Sequence, residues 1–116
     1  MPPNQRKYPR FSLSGLVMVN VPSKNIQFSG TIELIAMGGL GVYTKEKIEA
    51  GTLVSVQIVS FTGNNSLNYV LKGTVRNTER QSEFGVVGIQ FDSPIDSKDQ
   101  PHLYGYLMSQ EQKLKQ

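Results

Sequence analysis

A chain of 116 residues with 38% hydrophobic content has room for one core and is too apolar for a disordered segment. Cysteine is absent, which excludes disulfide frameworks, thiolate metal sites and cysteine nucleophiles, and fits a reducing cytoplasm. The net charge of +3 comes from the first ten residues: Arg6, Lys7 and Arg10 stand there without an acid, and beyond them nine basic side chains face nine acidic ones.

In chain order the basic arm, residues 1–10, comes first and reads as flexible; residues 11–116 read as one domain. Three charges on a short arm suit a small anion better than a nucleic-acid duplex, for which affinity grows with the number of phosphates neutralised. A solubilising tail is the alternative. No hydrophobic stretch follows the arm as it does in a secretory signal. No apolar run approaches the roughly 20 residues of a membrane helix. A cytoplasmic domain without membrane insertion is expected.

Period-two alternation then dominates, as in half-buried strands. Leu13, Val17, Val19 and Val21 share one face of a first strand, which Pro22 and Ser23 end. Ile26, Phe28 and Ile32 share a face of the second, and Leu34 has their parity unless a nearby bulge reverses it. The run Gly38-Gly39-Leu40-Gly41-Val42-Tyr43 re-enters a short strand, with Met37 and Leu40 either core or an apolar patch. Glu49-Ala50-Gly51 reads as a turn into Val54, Val56 and Ile58, and Thr62-Gly63-Asn64-Asn65 as another. Leu67, Tyr69, Leu71 and Val75 alternate next, followed by Val87, Ile89 and Phe91.

The period changes in the last quarter. Leu103, Tyr106, Leu107, Gln110 and Leu114 recur at helical spacing, placing a helix at about 97–115, with Asp96 or Ser97 as cap and Pro101 in its first turn. About six antiparallel strands followed by one amphipathic helix describe a mostly β small barrel with the helix packed on or beside it. The helix stripe can pack on its own barrel or on a second copy, so a homo-oligomer stays open.

The inventory for catalysis is poor. His102 is the single histidine and no Ser-His or Cys-His pair is available without it. Asp92, Asp96 and Asp99 lack the spacing of an EF-hand loop, and no metal or cofactor is expected. The Gly38–Gly41 run leads into a strand rather than a helix, so a bend or bulge accounts for it better than a nucleotide-triphosphate loop. One constellation is left: Arg6-Lys7-Tyr8-Pro9-Arg10-Phe11, two guanidinium forks on a proline-stiffened arm. Such forks fit phosphate oxygens and the O6/N7 edge of guanine.

Arg6-x-x-x-Arg10 before a first strand, with Gly-Gly-Leu-Gly-Val about thirty residues on, resembles the PilZ domain of bacteria. Gly51 with Val54 and Val56, and Gly88-Ile89-Gln90-Phe91, extend the likeness over about residues 5–109. The resemblance implies a six-stranded antiparallel barrel with a C-terminal helix. It also implies a non-enzymatic receptor for cyclic di-GMP in second-messenger signalling, bound through Arg6, Lys7, Arg10, Gly38 and Gly39, which passes the signal to a protein partner. Nucleic acid is disfavoured, because aromatics do not interleave with basic residues.

The second motif departs from the family pattern of Asp/Asn-x-Ser-x-x-Gly. With its glycine on Gly39, Leu34 stands for Asp or Asn and Ala36 for Ser. Neither has a side-chain donor or acceptor. Loss of one charged and one neutral hydrogen bond costs about 2–4.5 kcal/mol, roughly thirty- to two-thousand-fold in affinity. The alternative is therefore a degenerate PilZ domain that no longer binds nucleotide and acts as a protein-interaction module.

Overall fold

The computed structural model describes residues 9–62, 65–81 and 83–114. Among the described residues the strands are β1 (Gly15–Val21), β2 (Ile26–Ala36), β3 (Gly39–Thr44), β4 (Leu53–Thr62), β5 (Asn65–Gln81) and β6 (Phe84–Phe91), followed by a helix, α1 (Pro101–Leu114). They close into an antiparallel barrel in the order β1-β2-β3-β6-β5-β4. Closure leaves no sheet edge unpaired, which removes the aggregation hazard of an open sheet.

The alternation explains the inside. Val17, Val19 and Val21 of β1, Val42 of β3, and Val56 and Ile58 of β4 are fully buried, and Val87, Ile89 and Phe91 complete the core from β6. Met37 and Leu40 belong to the same core rather than to a surface patch. Ile26, Phe28 and Ile32 share the inward face of β2, Ile26 opposite Val21 and Phe28 opposite Val19, with Ile26 exposed at the strand's first position.

α1 begins at Pro101, where the missing amide donor of proline does no harm. A turn over residues 97–99 precedes it, and Asp96 Oδ1 accepts from the amides of Lys98 (3.0 Å) and Asp99 (2.7 Å). Leu103 and Leu107 are fully buried in the barrel core. Each fully buried leucine stabilises the fold by about 1.5–3 kcal/mol. Two hydroxyls fix the helix's position: the His102 amide donates to Tyr69 Oη of β5 (3.1 Å), and Tyr106 Oη donates to the carbonyl of Ser12 (3.2 Å). The first satisfies one of the amides that every helix start leaves unpaired. The second ties the helix to the segment that leads into β1. No helix among the described residues is long and apolar enough to cross a membrane.

Candidate ligand-binding groove

A barrel whose inward positions are filled shows its chemistry on its outside. On β3 the outward positions alternating with the buried Leu40 and Val42 are Gly39 and Gly41; on β6 Gly88 stands between the buried Val87 and Ile89. Gly41 pairs with Gly88 across the two strands, and Gly39 with Gln90. The centre of this outer face is therefore bare backbone. A Cβ at Gly41 would overlap Oε1 of Glu33, and one at Gly88 would overlap the side-chain amide of Asn77. Glycine leaves room at both places for a neighbouring side chain to lie across the backbone.

Two irregularities make the walls. In β2 the pairing passes from Ile32↔Val42 to Leu34↔Gly41, leaving Glu33 as the extra residue. In β5 it passes from Val75↔Ile89 to Asn77↔Gly88, leaving Arg76 extra. A bulge changes which residues face outward and twists its strand. Beyond the first, Ile35 turns into the core at 1% exposure, and Leu34 and Ala36, both half-buried, line the outer face. This corrects the parity that grouped Leu34 with Ile26, Phe28 and Ile32: the inserted Glu33 shifts the alternation by one.

The segment at Phe11 is held beside this surface by a two-way backbone bridge. Phe11 N–H donates to Ile35 C=O and Ile35 N–H to Phe11 C=O, each at 2.8 Å. Arg10, exposed, thereby lines the groove with Leu34 and Ala36. Among the described residues no hydrogen bond or ion pair engages its guanidinium. Arg6 and Lys7 lie outside the described residues.

Together these elements enclose a groove of about 500 Å³, within the range of small-molecule sites. Gly38 and Gly39 line it at the β2–β3 turn, where the Gly38 carbonyl accepts from the Phe91 amide at 2.9 Å. The far wall holds Arg76, Asn77 and Glu79 of β5 and Gln90 of β6. Arg76 Nε donates to Gln90 Oε1 at 2.6 Å, which fixes the guanidinium and leaves its two terminal nitrogens for a ligand. Glu33, Arg76, Asn77, Glu79 and Gln90 are lining residues that periodicity does not single out. Gly88, a lone glycine inside the alternating run Val87–Phe91, is the one local sign of a close approach there. The charges of the described lining balance, with Arg10 and Arg76 against Glu33 and Glu79.

The model of the PilZ domain family matches residues 4–109, and the chain belongs to that family. Solved structures share its fold. The Bacillus subtilis inhibitor of motility MotI/DgrA superposes with a TM-score of 0.76 at 17% identity, covering 100% of this chain and 59% of the other. The PilZ domain of YcgR with c-di-GMP from Escherichia coli gives 0.69 at 14% identity, covering 97% and 95%. The MrkH–c-di-GMP complex of K. pneumonia gives 0.69 at 16% identity, covering 97% and 55%. This chain thus spans little more than half the length of MotI/DgrA and MrkH. No curated protein sequence matches it.

Proposed function

We propose that the chain is a cyclic di-GMP receptor domain, without catalytic activity, that works in the bacterial cytoplasm and passes ligand occupancy to a protein partner. In this reading residues 1–10 form a ligand-gripping arm and residues 11–116 the barrel beneath it. The observation that carries the reading is the Phe11–Ile35 bridge, which sets an unengaged Arg10 over a groove floored by Gly39, Gly41 and Gly88. The ligand carries two phosphates and two flat guanines. A floor of glycines leaves room for a flat ring beside the Glu33 carboxylate and the Asn77 amide, and guanidinium forks match phosphate and the guanine O6/N7 edge. Because the described lining is balanced in charge, Arg6 and Lys7 would supply the positive excess that a dianion needs. Gly38 and Gly39 would let the ligand approach the turn.

Isothermal calorimetry of the full chain with cyclic di-GMP tests this. Saturation below roughly 100 µM is expected, and Arg10→Ala should weaken it at least thirtyfold, as for a lost charged hydrogen bond worth about 2–3 kcal/mol. Silence up to millimolar ligand favours the second reading, a docking module that has given up nucleotide. One observation supports that reading: the apolar Leu34 and Ala36 line the groove where the family carries Asp or Asn and Ser.

A further inference from the structure

Leu34 leaves the groove without the acceptor expected at its position, yet a carboxylate stands one residue earlier. Glu33 is the extra residue of the β2 bulge, pairs with nothing on β3, and lines the groove. Its Oε1 lies over Gly41, in the space a side chain there would occupy, which places it at the middle of the floor. Among the described residues no hydrogen bond or ion pair engages it. In a regular strand Glu33 and Leu34 would face opposite sides of the sheet; the bulge brings both to the outer surface.

A carboxylate is an acceptor-only group with two oxygens. Guanine is the base whose Watson–Crick edge offers two neighbouring donors, N1–H and the 2-amino group. Adenine offers an acceptor at N1, which a carboxylate repels. We propose that Glu33 reads the guanine edge in this groove by accepting from N1–H and the 2-amino group, replacing the acidic position lost at Leu34. The proposal rests on the cyclic di-GMP reading. It assigns base identity to β2 and phosphate capture to the arm. Arg10, one residue before the Phe11–Ile35 bridge, has no part in sensing the 2-amino group.

The test compares cyclic di-GMP with cyclic di-IMP, which lacks only the 2-amino groups, by calorimetry on the full chain, Glu33→Ala, Glu33→Gln and Arg10→Ala. The unaltered chain should prefer cyclic di-GMP by at least tenfold. Glu33→Ala should weaken cyclic di-GMP at least tenfold and bring the two ligands within about twofold of each other. Glu33→Gln should also lose most of the preference, since an amide accepts through one atom only. Arg10→Ala should weaken both ligands by the same factor and keep the preference. Two results overturn the proposal while the receptor reading stands: preference retained in both Glu33 variants, or no preference in the unaltered chain. Binding of neither ligand by any protein overturns both together. Melting curves of the Glu33 variants within a few degrees of the unaltered chain show that a loss reports on the groove and not on the fold.

Discussion

Gly39 and Gly41 stand two apart on the same outer face of β3, and the structure assigns opposite consequences to the same added methyl group. A Cβ on Gly39 would sit 2.5 Å from the carbonyl oxygen of Ile89, a backbone atom held in the ladder of a closed barrel. Overpacking of this kind costs about 1–3 kcal/mol. Replacing a strand glycine by alanine returns roughly 0.5–1 kcal/mol of backbone entropy, so Gly39→Ala should lose about 1–2 kcal/mol net. At roughly 4 °C per kcal/mol for a domain of this size, its melting temperature should fall about 4–8 °C. At Gly41 the clash is with Glu33 Oε1, the end of a flexible side chain, and the next atoms are 3.5 Å away. Glu33 can swing aside, the entropy gain offsets the move, and Gly41→Ala should melt within about 2 °C of the unaltered chain. The methyl nevertheless raises the groove floor and displaces Glu33, so affinity for cyclic di-GMP should drop at least tenfold, about 1.4 kcal/mol. Circular dichroism melts and calorimetry on the two variants give both readouts. If Gly41→Ala melts low while Gly39→Ala does not, β3 is paired in another register and the groove as described is wrong. If Gly41→Ala binds as tightly as the parent, the ligand does not touch the floor.

Leu34→Asn with Ala36→Ser restores neutral hydrogen-bonding groups to the groove without placing a second carboxylate beside Glu33; titration should show at least tenfold tighter binding, and no change would mean these positions do not meet the ligand. Leu107→Ala empties a fully buried site of α1 and should cost about 2–5 kcal/mol in urea unfolding; a loss under 1 kcal/mol would mean the helix is not part of the cooperative unit. Ser60, 1% exposed on β4, donates its hydroxyl to the carbonyl of Ser14 just ahead of β1. Ser60→Ala should cost about 1–3 kcal/mol in the same assay, because the carbonyl is left without its partner.

What was legible in the sequence was whatever depends on near neighbours. Alternation at Val17, Val19 and Val21, or at Val87, Ile89 and Phe91, follows from the two-residue pleat alone, and the spacing of Leu103 and Leu107 from the helical turn alone. The bridge from Phe11 to Ile35 joins residues 24 positions apart and has no local sign. The groove's walls were hidden for a sharper reason. Whether Glu33 or Leu34 faces outward depends on a one-residue slip against β3, and whether Arg76 reaches the site depends on a like slip against β6. A slip in register exchanges the two faces of every residue beyond it, so a local pattern read forward from Ile32 assigns Leu34 to the wrong side.

The glycines record both slips indirectly. Gly41 is bare because the first bulge lays a carboxylate over it, and Gly88 because the second lays an amide over it. These two positions are opposite each other in the β3–β6 pair. The bulges thus flank the central strand pair from either side, and each places a polar side chain over its own half of the floor. Both walls therefore carry both signs: Glu33 and Arg10 on the β2 side, and Glu79 and the Gln90-held Arg76 on the β5 side. That mixture suits a ligand whose guanine edge and phosphates must be gripped by groups of opposite sign. It arises from the pairing of four strands together and from no single one of them.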